Sequence, residues 1–83
     1  MSDKPLLTLY GRKDCHLCDE MIAALQRLPG IHDFLLEIVD IDSDPELEEM
    51  FGLKVPVLMA NERELGHYFL DQAVLDAYFA EFR

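Results

Sequence analysis

The sequence predicts an α/β fold, a four-stranded mixed sheet with three helices in the order βαβαββα. Short β-prone apolar runs bounded by turn residues alternate with stretches whose apolar residues recur at helical spacing. The opening strand–helix–strand segment implies a right-handed parallel βαβ unit, and two closely spaced later runs imply a hairpin. Eighty-three residues are expected to form one domain, 1–83, which buries only ~60% of the surface of its unfolded chain.

Leu6–Tyr10 ("LLTLY") is β-prone, ends at Gly11, and reads as a short, largely buried strand. Leu17, Met21, Ala24, Leu25 and Leu28 fall on one helical face, with Pro29-Gly30 as the stop. Phe34–Asp40 ("FLLEIVD") is the second strand, expected to be buried like the first. Asp44 then reads as an N-cap with Pro45 at the first helical position, and Gly52 closes a short helix carrying Leu47, Met50 and Phe51. Val55–Met59 and Arg63–Gly66 are the third and fourth strands, with Asn61-Glu62 as the turn between them. Asp71 caps a last helix whose stripe of Val74, Leu75, Tyr78, Phe79 and Phe82 faces the sheet.

Seventeen acidic against seven basic residues give a net charge of −10, which repels phosphate backbones and anionic lipid surfaces, so neither nucleic acid nor a membrane is an expected partner. Asp40, Asp42 and Asp44 imitate the opening of a calcium loop. Pro45 and Phe51, however, stand where such a loop needs glycine and glutamate. The stretch reads instead as a strand end running into a helix N-terminus, where acids favour the dipole. The first apolar run is too short for a signal-peptide core or a membrane span, and a cytoplasmic location is expected.

Both cysteines lie in "YGRKDCHLC", residues 10–18. A bridge between Cys15 and Cys18 closes too short a loop to restrict the unfolded chain much, so its purpose is not structural stapling. Three readings remain for such a pair: inert thiols, half of a zinc site, or a redox couple. Zinc needs two further ligands, and His16 sits between the cysteines while His32 and His67 are far apart in sequence, so no metal site is expected. The strand-then-helix setting is the context a redox motif requires. If the helix begins at or just after Cys15, its unsatisfied N–H groups point toward that sulfur and favour the thiolate against a free pKa of about 8.5. Arg12, Lys13 and a protonated His16 act in the same sense; Asp14, Asp19 and Glu20 oppose it. Cys18 lies one helical turn on, so Cys15 is the expected attacking thiol and Cys18 the resolving one.

With "LTLYGRKDCHLC" (7–18), "VDIDSDPEL" (39–47), "KVPVL" (54–58) and "ELGHYFLD" (64–71) in the βαβαββα order, the sequence resembles the glutaredoxin family of thioredoxin-fold proteins, in particular its small bacterial glutaredoxin-like members. The resemblance implies a cis bond before Pro56 beside the redox pair, which leaves the N–H and C=O of Val55 free for an extended peptide or the glutathione backbone. It implies that Arg12 holds a glutathione carboxylate and that Gly66 belongs to the substrate site. Two departures stand out. Gly66-His67 replaces the family's Gly-Gly turn with the acid delayed to Asp71, and His16 stands where many members have proline.

The expected function is thiol–disulfide exchange on protein disulfides or glutathione mixed disulfides by a monomer. No resident metal or organic cofactor is expected, and glutathione is a candidate co-substrate. The alternative is a non-catalytic redox-sensing or partner-binding module of the same fold.

Overall fold

Alternating side chains on strand β1 (Leu6–Gly11) set the two layers that surround it. The computed structural model describes residues 4–28 and 33–82, leaving out the Phe82 side chain. Leu7 and Leu9 are fully buried on one face of the sheet. There they pack with Met21 and Leu25 of α1 (His16–Gln26) and with Leu75 and Phe79 of α3 (Gln72–Phe82). Tyr10 points the other way and stacks on Phe51 of α2 (Pro45–Phe51), with 4.6 Å between ring centroids, in a smaller cluster with Ile41 and Val57. Helices α1 and α3 thus cover one face and α2 the other.

The sheet order is β2-β1-β3-β4, with β2 (Leu35–Asp40), β3 (Val57–Ala60) and β4 (Arg63–His67). β1 and β2 run parallel, from Leu6 beside Leu35 to Gly11 beside Asp40; β3 is antiparallel to both β1 and β4. The mixed four-stranded sheet with three helices is therefore the predicted architecture. Among the described residues no helix is long and apolar enough to cross a membrane.

The burial expected of the second strand is corrected. β2 starts at Leu35 and is an edge strand paired only with β1, which leaves Leu35 47% and Ile38 55% exposed. Phe34, placed inside that strand by its apolar character, precedes it and stacks on Phe79. β3 begins two residues later than expected, after the cis Val55–Pro56 bond, since Pro56 cannot donate to the ladder. β4 runs one residue further, to His67, and a register shift opposite Leu58/Met59 makes room for buried Leu65. Helix α1 ends at Gln26, capped by Arg27, ahead of the predicted Pro29-Gly30 stop, which lies outside the described residues. Met50, one of the apolar residues this helix was expected to carry, is 62% exposed, because two turns of helix turn only Phe51 and part of Leu47 inward.

The acidic run works as local capping. Asp40 accepts from the N–H of Asp42 ahead of a 3-10 turn at Ile41–Ser43, Asp44 accepts from Glu46, and Asp71 accepts from Ala73 and Val74 at the start of α3. Gly52 ends α2 with right-handed torsions, and its lack of a side chain answers a contact: a Cβ there would lie 2.5 Å from the carbonyl oxygen of Glu48. Asn61 supplies the left-handed residue of the β3–β4 turn, at φ 56°, in place of glycine.

Two expectations follow. Leu9→Ala removes a fully buried side chain from the main cluster and lowers stability by about 2–5 kcal/mol, read as a shift in the urea midpoint. Glu64 accepts from Lys54 and pairs with His67, and the Lys54 hydrogen bond foremost holds its carboxyl below the ordinary glutamate value of 4.5. A lowered folded value means that this stabilisation is full above pH 4.5 and is lost as the pH falls from there through the folded value. The stability gap between wild type and Glu64→Gln therefore closes on acidification over that window.

Candidate active site

Between β1 and α1 the chain turns through Lys13 and Asp14, and Asp14 adopts φ 58°. Asp is among the few residues that tolerate this region. The turn leaves Cys15 extended at φ −105°, ψ 103°, as the N-cap of α1. Its Sγ accepts the N–H of Cys18 at 3.1 Å, and its carbonyl accepts the N–H of Asp19 at 3.1 Å, the first bond of the helix. A sulfur thus occupies the place where an N-cap oxygen ordinarily satisfies an orphan donor.

Cys15 and Cys18 are joined as a disulfide, with 5.2 Å between their Cα atoms. Cys15 is half-buried, whereas Cys18 is 3% exposed and faces the core. Behind Cys18 stands Gly11, where a Cβ would lie 3.0 Å from the Cys18 sulfur. The end of β1 therefore comes this close to the disulfide because residue 11 has no side chain.

The β1–β3 register pairs Tyr10 with Val57, which brings Pro56 level with Gly11 and so to the end of the sheet that carries the cysteines. Pro56 is fully buried behind its cis bond. Its carbonyl accepts the N–H of Tyr68 at 2.9 Å, and the Tyr68 hydroxyl donates to the carbonyl of Leu53. Tyr68 itself sits at φ 64°, uncommon for a bulky residue, and fastens the 53–56 segment at both ends. Among the described residues no backbone hydrogen bond engages Val55.

Arg12 follows β1 and turns toward α2. Its Nη2 donates to Glu48 and, at 3.5 Å, to the carbonyl of Gly52, while Nε lies 3.7 Å from Asp42 without a hydrogen-bond partner. The hydrogen bond to Glu48, then the charges of Glu48, Asp42 and Asp40, raise its pKa and keep it a cation. The guanidinium is committed to these acids. It still lines, with Gly11, Lys13, Cys18 and Ile38, a groove of about 330 Å³ beside the buried sulfur.

Gly66 lies apart, on β4 opposite Leu58, one strand beyond β3. It lines a wider concavity of about 700 Å³ at the start of α3, with His67, Asp71 and Val74. The smaller groove is the better candidate despite its size, because it alone of the two touches a sulfur. Among the described residues no three His, Cys, Asp or Glu side chains gather closely enough to hold a metal ion.

Gly11, Glu48 and Tyr68 contribute to this geometry without having been singled out from the sequence. Gly11 carried a signal, a glycine closing a strand four residues before a cysteine; the backbone of Tyr68 carried none. Gly11→Ala is expected to lower the stability of the oxidised protein by about 1–3 kcal/mol, since the added Cβ presses on a Cys18 sulfur that is bonded to Cys15. A urea midpoint equal to or above that of wild type contradicts this close packing.

A family model described as Glutaredoxin-like domain (DUF836) matches residues 6–80. Among solved structures, the chain is similar to a Nitrosomonas europaea protein determined by solution NMR, with 45% identity, 94% of each chain covered and a TM-score of 0.82. It is also similar to protein XcR50 from X. campestris, determined by X-ray diffraction, at 41% identity over 90% of this chain and 96% of that one, with a TM-score of 0.71. Thioredoxin 1 from Thermosipho africanus shares the fold alone, at 15% identity over 92% of this chain and 96% of that one, with a TM-score of 0.60. No curated protein matches the sequence. The family match runs from the first strand into the last helix and includes both cysteines, and the chain therefore belongs to the glutaredoxin-like domain (DUF836) family, built on a thioredoxin fold.

Proposed function

We propose that this domain is a thiol–disulfide oxidoreductase that exchanges its Cys15–Cys18 couple with disulfides of proteins or with glutathione mixed disulfides. One observation carries the reading: the sulfur of half-buried Cys15 caps the helix and receives the Cys18 N–H, while Cys18 itself is buried. Helix N-terminal donors stabilise a thiolate at the cap, and a thiolate is the species that attacks.

In the reducing direction, the Cys15 thiolate bonds to one sulfur of the substrate disulfide as that S–S bond breaks, and the other substrate sulfur leaves as a thiolate. The Cys18 thiol, on losing its proton, then bonds to the Cys15 sulfur and releases the second substrate sulfur. Two electrons pass to the substrate, and the chain ends as the disulfide seen here. A thiol reductant, either glutathione as co-substrate or a dithiol protein, reverses these steps to restore the reduced form. The unpaired backbone of Val55 offers an extended substrate one N–H and one C=O beside Pro56.

The test is a single turnover of reduced protein with hydroxyethyl disulfide, followed by intact mass after acid quenching. Wild type is expected to end as the internal disulfide, and Cys18→Ser to stop as a mercaptoethanol adduct on Cys15. Cys15→Ser is expected to slow the reaction at least about a hundred-fold, toward the rate of an unactivated thiol. Equal rates in wild type and Cys15→Ser remove the enzyme reading.

A further inference from the structure

Resting on that reading, the exposed surface beside Pro56 and α1 narrows the class of partner. Leu53 is 90% exposed, Phe69 68% and Tyr68 40%, and the structure joins them into one strip. The Tyr68 hydroxyl bonds to the Leu53 carbonyl, its N–H bonds to Pro56, and Tyr68 and Phe69 share a cleft with Glu20, Met21 and Ala24 of α1. The strip therefore runs from the α2–β3 connection across Pro56 to the helix that carries the cysteines.

Charge supplies the second constraint. Two cations near this end of the sheet are already engaged, Arg12 by Glu48 and Asp42 and Lys54 by Glu64, and the rings of His16 and His67 lie against Glu20 and Glu64. Asp14 and Asp19 flank the cysteines against Lys13, within a chain whose net charge is −10. Glutathione disulfide, an anion at neutral pH, meets this field unfavourably, whereas a basic polypeptide is drawn to it.

We propose that the exchange partner is a polypeptide with basic and apolar side chains beside its disulfide, docked across Leu53, Tyr68 and Phe69, and that glutathione disulfide is a poor substrate by comparison. The sulfur chemistry is the two-step exchange already described, with the partner disulfide as oxidant and no further reagent.

The experiment reacts the reduced full chain in single turnovers with four oxidants. These are a disulfide-cyclised peptide rich in Lys and Leu, its counterpart with Glu for Lys, glutathione disulfide, and neutral hydroxyethyl disulfide. Each rate is divided by that of dithiothreitol with the same oxidant, to remove the intrinsic reactivity of the disulfide. The expected result is a normalised rate about ten-fold higher for the basic peptide than for the acidic one or glutathione disulfide, with the gap shrinking in about 0.5 M salt. Leu53→Ser with Phe69→Ser is expected to lower the ratio of the basic-peptide rate to the hydroxyethyl disulfide rate. Equal rates for the two peptides, a faster reaction with glutathione disulfide, or an unchanged ratio in the double variant each overturn the proposal while exchange chemistry stands. Absence of reaction with hydroxyethyl disulfide overturns the oxidoreductase reading itself, and this inference with it.

Discussion

The candidate site depends on one contact, the backbone N–H of Cys18 directed at the sulfur of Cys15. Ordinary N-cap residues offer an oxygen to the first turn of a helix, and their service ends there. A sulfur in that position does the same capping and is in addition a reactive atom, so the orphan donors that α1 must satisfy also define where negative charge on sulfur is most favoured. The neighbouring parts of the site can be understood as ways of presenting this cap. Asp14 turns the chain into it, Gly11 clears the space behind it, and the three-residue spacing sets the second sulfur within reach.

The sheet supplies the frame. Because β1 lies between β2 and β3, the backbone that leads to Cys15 is tied on both sides, and the β3 register brings Pro56 to the same end. Arg12, immediately after β1, binds this end of the sheet to α2 through Glu48 and Gly52. The glutathione contact expected of this position from the resemblance meets a charge already engaged by acids of the same chain. Tyr68 does for the Pro56 segment what Arg12 does for the end of β1, fixing a loop by hydrogen bonds from the neighbouring strand's end.

The element order was legible in the sequence because its signals are local. Asp44-Pro45 and Asp71 marked helix starts by their capping chemistry, and the β-prone runs were short and cleanly bounded. The place of the cysteines between a strand and a helical repeat put Cys15 at or just before the helix start, and the structure makes it the cap. What stayed hidden depends on pairing across the chain. Leu35 and Ile38 look like core residues, and only the strand order shows that they lie on an edge. Arg12 reads as a free cation until α2 folds back and delivers Glu48, thirty-six residues away. The left-handed backbone of Tyr68 has no local signature, since aromatic residues rarely adopt it.

Selective alkylation tests the central claim most directly. Reduced protein is treated at pH 7 with less than one equivalent of iodoacetamide, the modified residue is located by peptide mass, and the rate is compared with that of free cysteine. If the helix N-terminus stabilises a thiolate at the cap, Cys15 reacts about ten-fold faster than free cysteine while buried Cys18 stays protected. Labelling of Cys18 as fast as Cys15, or Cys15 no faster than the free amino acid, contradicts the account.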